Sequence, residues 1–324
     1  MKSFLRLTTL VNSLKSMSLW SSSTPTLEPW LQASAIDIRT KPSSSRMVGL
    51  SIVATLFLFS TAFCQKALNA EENLNGVKSL KAIISIGTVD LTLKKVNNPS
   101  KAFRIYCSYS EDEKVPVLDY DVEGTRGVFH FSNQKEGVHF PWFNIHGDRD
   151  TASIELADSV PVSLTMNFGV CDANIDLGGM QISDATFSTG VCDFNLNFSS
   201  PNQIECDNIQ IKTGVSSVSV KKLANAHARD VEFNGGLGSL KIDFGGKLQR
   251  DCSVHVKTGL GSVEISIPSG TNTIITAQGS FLNSVDVSGF YAQGDGEYRS
   301  SAKTGPQLKL NIDSGLGSVT IKSY

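Results

Sequence analysis

The chain has 324 residues and a near-neutral charge, with 29 Lys and Arg side chains against 31 Asp and Glu and a formal net charge of -2. This balance lacks the basic field expected of a nucleic-acid-binding protein, and a hydrophobic content of 40% is too high for a disordered chain. With only 19% charged residues, 27 glycines and few helical patterns, the chain is predicted to be all-β and long enough for two domains.

The N-terminal 65 residues have the pattern of a leader rather than of a folded domain. Residues 1–46 carry six basic and two acidic side chains and no core pattern, so we interpret them as disordered or as read-through upstream of a true start at Met47. Residues 47–65 are uncharged, and Val48–Phe63 ends in Ala62-Phe63-Cys64, which is typical of a cleavable signal peptide. If it is retained, the same stretch would anchor the chain in a membrane. Both interpretations place everything after residue 65 outside the cytoplasm.

Residues 66–76 are a predicted linker, and residues 77–150 are a predicted N-terminal β module. Five short apolar stretches separated by turn residues predict strands at 80–86, 89–96, 103–109, 115–120 and 127–131. Ile86–Leu93 also carries a degenerate form of a pattern that recurs later in the chain. We therefore expect this module to cap the end of a repeat array, which would otherwise expose unpaired backbone.

Residues 151–324 contain an internal repeat that is clearest at Lys257–Pro268. The frame is anchored on a glycine in all copies but one, and the anchors are Gly169, Gly190, Gly214, Gly236, Gly259, Phe281 and Gly315. The steps between them are 21, 24, 22, 23, 22 and 34 residues. The last step contains a glycine-rich insertion, residues 288–306, which we expect to project as a flexible flap. Repetition at this period predicts a solenoid.

Each repeat alternates apolar and polar residues around its anchor. Positions four and six after the anchor are apolar and the residue between them is polar, as in Val263-Glu264-Ile265. Positions five and three before the anchor are apolar in six of the seven copies, so each repeat is predicted to hold two short strands joined at a glycine corner. An apolar residue directly follows the anchor at this corner. Because one unit cannot bury its own apolar face, neighbours must stack about 4.8 Å apart. The predicted fold is an all-β solenoid, or β-roll, of about seven two-strand coils capped by the N-terminal module.

Two of the six cysteines share one position in the repeat frame. Cys171 and Cys192 each lie two residues after an anchor, so they are expected to be stacked neighbours. Their Cα separation would permit a disulfide, but in-register side chains on parallel strands seldom reach the required dihedral angle, and we favour two packed thiols. Cys206 and Cys252 are two repeats apart, which is too far for a bridge.

The outward positions of two neighbouring repeats define a candidate surface ladder: Asn174, Asp176, Asn195 and Asn197. With Asp172 and Asp193, these residues gather oxygen ligands that could hold calcium. The acidic nonapeptide of calcium-binding β-rolls is missing, however, and stacked Asn side chains can bond to each other along a ladder. We therefore predict a polar surface without a metal.

No catalytic, cofactor-binding or metal-ligating residues are predicted. His130, His139 and His146 fall within 17 residues, but they show neither a helical i, i+4 pair nor a close His-x-His, so ordinary hydrogen bonding is favoured over a metal site. Asp176, Asp243 and Glu264 are outward carboxylates of the kind that β-helix glycan-processing enzymes use. Their equivalents in other repeats are Asn, Lys and Ser, which favours a solvated face.

The stretches Asn167–Gly179 and Phe187–Asp193 resemble the bacterial toast-rack family, whose members often have Gly-Ala-Gly-Asp where Gly169–Asp172 and Gly190–Asp193 stand here. The resemblance extends over about residues 80–322. It implies a β-solenoid outside the cytoplasm, related to domains of membrane regulators that respond to cell-wall antibiotics and to proteins proposed to be adhesins. Cys171 and Cys192 depart from the usual glycine. The resemblance carries no catalytic residues.

The favoured hypothesis is a non-catalytic β-solenoid of the cell envelope, adhesin-like or structural, whose partners are envelope proteins or glycans. A glycan-processing β-helix enzyme is the first alternative, and a groove with two carboxylates roughly 5–10 Å apart would favour it. A membrane-anchored sensor of envelope stress is the second, and it requires that residues 48–63 remain uncleaved as the contact with the membrane. No cofactor and no nucleic-acid partner is expected.

Overall fold

Long strands stacked in parallel form the body of the protein. The computed structural model describes residues 65–110, 115–133, 150–277 and 283–324, so the predicted disordered segment 1–46, the leader up to Cys64, and His139, His146, Phe281 and Leu282 lie outside it. The strands are β1 (Gln65–Asn73), β2 (Ser79–Lys95), β3 (Lys101–Ser110), β4 (Val117–Glu123), β5 (Arg126–Ser132), β6 (Thr151–Leu156), β7 (Val162–Asp176), β8 (Ile182–Asn197), β9 (Cys206–Lys221), β10 (Ala228–Asp243), β11 (Cys252–Ile267), β12 (Asn272–Ala277), β13 (Asn283–Ser288), β14 (Tyr291–Gly294), β15 (Glu297–Arg299) and β16 (Gln307–Ser323). A short 3-10 helix, Leu223–Ala226, connects β9 to β10. Among these residues, no helix has the length and apolarity needed to span a bilayer.

Strands β7 to β11 confirm the predicted solenoid. Each is one coil, bent at its corner glycine and paired in parallel and in register with the next. One inward file runs through all five coils and is no more than 7% exposed: Ala173, Phe194, Val218, Leu240 and Val263. Because the apolar side chains of each coil are covered by those of its neighbours, the core is continuous along the stack.

The order of coils in the stack differs from their order in the chain at both ends. Strand β16, the last in sequence, pairs with β11 on one side and with both β12 and β13 on the other. In the same way β2 lies between β7 and a split coil made of β5 and β6. At each end of the stack, one long strand (β2 or β16) therefore lies between the regular coils and a terminal coil made of two short strands. The division into an N-terminal module, 77–150, and a repeat domain, 151–324, stays a prediction.

Antiparallel strands cover the outer edges of the split coils. At the N-terminal end β3 pairs with β6, β1 pairs with β3, and β4 pairs with β5. Most of the predicted linker, residues 66–76, is therefore not a linker but part of strand β1, because its backbone pairs with β3. At the other end β15 pairs with β12 and β14 pairs with β15. The prediction that residues 288–306 project as a flexible flap is wrong. Asp295 and Gly296, both at positive φ, make a tight turn that folds the segment back as a hairpin.

A disulfide joins Cys171 to Cys192, so the prediction of two packed thiols is wrong. In-register pairing brings their Cα atoms to 4.7 Å, within the range that disulfides span. The prediction assumed a flat ladder of parallel side chains, whereas these residues follow the corner, where the chain bends. Cys206 and Cys252 are unbridged, as expected, and burial raises the pKa of both thiols to about 12.

Corner glycines allow successive coils to approach each other closely. A Cβ atom on Gly259 would lie 2.8 Å from the carbonyl oxygen of Gly236 in the coil below. At Gly261, two residues later, φ is +144°, and a Cβ atom would overlap the carbonyl oxygen of Gly238. Along the line of corner glycines, the backbone of the neighbouring coil therefore leaves no room for a side chain. Two residues later the exclusion is local to the coils that carry glycine, since Cys171, Cys192 and Ser216 occupy that position in β7, β8 and β9.

The close approach at the corner predicts a sharp difference between two glycines of the same region. We expect Gly261→Ala to lower the free energy of unfolding by more than about 2 kcal/mol, because the methyl group meets backbone that cannot move without breaking the register. Gly270→Ala, in a turn with no atom within 4 Å of the added Cβ, is the control and should stay within about 0.5 kcal/mol of the original chain. Urea unfolding measures both, and equal effects would contradict the stacked corner.

Candidate binding surface

A polar face covers the outward side of the arm that follows the corner glycine. We define it by the outward residues three, five and seven positions after that glycine in β2, β7 to β11 and β16. Its central row is Thr92, Asn174, Asn195, Ser219, Lys241, Glu264 and Thr320, each in register with the next. Strand alternation produces this row, because every neighbour of these residues in the chain points into the core.

The four residues of the predicted surface ladder lie on this face in two adjacent rows. Asn174 and Asn195 are exposed and paired in register, and Asp176 and Asn197 are half-buried beside them. The amides donate to carboxylates rather than to each other: Asn174 Nδ2 to Asp172 Oδ1 at 3.1 Å, and Asn197 Nδ2 to Asp176 Oδ2 at 3.4 Å. Asp176 also accepts the backbone N–H groups of Gly178 and Ser199, so it anchors the turn after β7.

Carboxylates are concentrated at the N-terminal end of the polar face. Asp90, Asp172 and Asp193 occupy one row on three successive coils. At the opposite end a carboxylate is neutralised within the face, since Lys322 Nζ lies 2.7 Å from Glu264 Oε1 and Lys241 Nζ lies 3.6 Å from Glu264 Oε2. The hydrogen bond from Lys322 holds the pKa of Glu264 below its usual value. The two ends of the face therefore differ in charge.

A tyrosine closes the acidic end of the central row. Strand β3 pairs antiparallel with β6 and places Tyr106 opposite Ser153, which is itself opposite Thr92. Tyr106 is 47% exposed and forms one wall of a shallow groove of about 320 Å³. The groove is also lined by Asp90, Thr92, Thr151, Ser153, Asp172 and Asn174. Sequence reasoning missed this groove, because no local signal shows which strand β3 will pair with.

A row of aliphatic side chains separates the polar face from the other arm of the coils. This corner row consists of the residues directly after the corner glycines: Val170, Val191, Val215, Leu237, Leu260 and Leu316. All six are between 42% and 51% exposed. The sequence frame identified these positions as apolar corners, but the strand pattern alone did not show that they face solvent.

The histidines do not form a site in the described part of the chain. His130 is half-buried in β5, and His255 is exposed in β11, with its Nε2 3.2 Å from Ser253 Oγ. His227 is buried after the 3-10 helix, its Nε2 has no hydrogen-bond partner, and burial lowers its pKa. Within residues 65–110, 115–133, 150–277 and 283–324, no three His, Cys, Asp or Glu side chains converge in a way that would hold a metal ion.

Comparison with known proteins gives one family match and several distant structures. The family described as the N-terminal domain of toast_rack matches residues 64–221 and 202–266, together more than half of the chain. No curated protein sequence matches. A proposed cell adhesion protein from Clostridium sporogenes ATCC 15579 is 17% identical over 80% of this chain and 100% of that one, with a TM-score of 0.47. A proposed adhesin from Bacteroides fragilis NCTC 9343 is 11% identical over 79% and 97%, with a TM-score of 0.29. A proposed lipid binding protein from Parabacteroides distasonis ATCC 8503 is 12% identical over 79% and 97%, with a TM-score of 0.22.

Proposed function

Because the chain belongs to the toast-rack family, we propose that it is a non-catalytic, adhesin-like protein of the cell envelope that binds a glycan through the polar face. The observation that carries this proposal is the groove beside Tyr106. Sugars present apolar C–H faces and hydroxyl groups together. An exposed aromatic ring can stack on the former, while carboxylate and amide oxygens accept hydrogen bonds from the latter.

The repeated rows beyond the groove suit an extended ligand. In the central row from Thr92 to Ser219, each coil offers a hydroxyl or an amide group that lies about 4.8 Å from that of the next coil. A linear polymer with a repeating unit could therefore make similar contacts on successive coils. Multiple weak contacts of this kind raise the overall affinity for a polymer above that for one sugar unit.

Two observations support a location outside the cytoplasm. The apolar stretch Val48–Phe63 has the pattern of an export signal. The disulfide between Cys171 and Cys192 is the second, because disulfides persist in oxidising compartments and are rare in the cytosol. An envelope-stress sensor stays an alternative only for a chain that keeps the apolar stretch as an anchor.

A glycan-processing enzyme is the second candidate, and it has one observation in its favour. Asp90 and Asp172 come from adjacent coils and line the same groove as Tyr106. Glycoside hydrolysis, however, needs two carboxyl groups that flank the scissile bond from opposite sides. Residues in one row of a sheet project side by side from the same surface, which suits holding a sugar better than cleaving it.

Replacement of the aromatic wall tests glycan binding. We expect Tyr106→Ala to weaken binding to immobilised envelope polysaccharides about tenfold, because the variant removes the apolar surface on which the C–H face of a sugar would stack. Tyr291→Ala is the matched control, since Tyr291 is 64% exposed but belongs to the hairpin at the other end of the stack. Equal affinity for both variants would contradict the proposal. Release of reducing ends from the bound glycan, abolished by Asp172→Asn, would favour the enzyme instead.

The N-terminus and mass of the native protein test its location. Export with cleavage predicts that the mature chain begins near Gln65 and that Cys171 and Cys192 are oxidised, which intact mass and N-terminal sequencing detect together. A native chain that retains residues 47–64 and the disulfide would instead support the anchored form. A chain whose Cys171 and Cys192 are reduced in its native compartment would contradict both exported forms.

A further inference from the structure

The corner row is an apolar surface that the core does not require. At the corner the glycine and the residue after it face outward in β7 to β11 and in β16. Burial resumes at the following residue in β7 to β9, as at Cys171 and Cys192, and two residues later in β10, β11 and β16, as at Val263. The equivalent position in β2 is Thr88, which is exposed and in register with Val170. The corner therefore accepts a polar residue, and its geometry does not explain six successive valines and leucines.

We propose that the corner row is a self-association surface through which two copies of this chain pair side by side. Contiguous exposed apolar patches on soluble proteins commonly mark interaction sites. The row is in register from coil to coil and about 24 Å long, since its six residues lie on six coils about 4.8 Å apart. A second copy has the same spacing by construction, so each aliphatic side chain in one row meets an aliphatic side chain in the other.

If the two corner rows run in opposite directions and are related by a two-fold axis that passes between β9 and β10, no two like charges face each other. This arrangement places Val215 of one copy opposite Leu237 of the other, Val191 opposite Leu260, and Val170 opposite Leu316. On one side of the corner row lie the residues three positions after the corner glycine, and there Asp172 faces Ser318 and Asp193 faces Ser262 of the other copy. On the other flank the exposed Lys212 and Lys257 face Asn234 and Ser188, and Asp313 faces Asn167. Each charged side chain therefore meets a hydroxyl or an amide.

The size of the surface is that of a weak or transient interface. Six half-exposed aliphatic side chains make a patch of roughly a few hundred Å². With the two flanking polar rows, a pair of copies would bury on the order of 1,000–1,200 Å² in total, at the lower end of specific interfaces. We therefore expect a reversible dimer with a dissociation constant on the order of micromolar or weaker. This inference does not rest on glycan binding.

Sedimentation equilibrium of the full chain, from about 5 to 500 μM, tests the pairing. The original chain should show a monomer–dimer equilibrium, and Val215→Ser/Leu237→Ser should raise its dissociation constant at least tenfold. Val117→Ser/Val122→Ser is the matched control and should leave it unchanged, since these valines are 43% and 53% exposed on β4, outside the row. Val191→Ser/Leu260→Ser, on two other coils, should act like the first variant. Thermal melting of each variant identifies a loss of folding.

Three results would overturn the proposal. The first is a chain that stays monomeric at every concentration. The second is a dimer that the folded corner-row variants leave intact, which would place the interface elsewhere. The third is a monomer that sediments with phosphatidylcholine vesicles only when the corner row is unmutated, since that would assign the row to a lipid surface.

Discussion

In-register pairing of parallel backbones is the constraint on which this structure depends. Each coil repeats the hydrogen-bonding pattern of the one below, so residues at equal distance from the corner glycine fall into continuous files. The files that point inward make the core, and those that point outward make the polar face and the corner row. A shift of register by one residue would move core residues to the surface. The corner glycines oppose such a shift, because it would place a side chain where only a glycine leaves room for the backbone of the next coil.

The proposed groove arises where the repetition stops. Within the stack, each outward position has a similar neighbour above and below, so one coil presents much the same groups as the next. At the N-terminal end the parallel coils give way to antiparallel strands, and β3 raises Tyr106 beside the row that contains Thr92 and Asn174. Three aspartates of the adjacent row lie at the same end. Aromatic, acidic and amide groups are thus brought together by the edge of the array rather than by any one coil.

The sequence allowed prediction of the parts of the fold that periodicity controls. Ala173, Phe194 and Val218 were correctly placed in one inward file, because strand alternation and stacking leave no other position for them. Stacking order at the ends could not be predicted, since β16 and the pair β12–β13 fit the same frame and only tertiary packing decides which lies against β11. The disulfide was missed because the bend at Cys171 departs from a flat ladder. The antiparallel pairing of β3, and with it the position of Tyr106, has no signal in local sequence.

Amide hydrogen exchange along β16 tests the stacked arrangement most directly. Strand β16 is last in the chain but lies inside the stack, with hydrogen-bonded neighbours on both sides, so its amides should exchange as slowly as those of β11 and far more slowly than those of the edge strand β14. If the coils were stacked in chain order, β16 would itself be an edge. Fast exchange throughout Gln307–Ser323, with slow exchange in β11, would contradict the account.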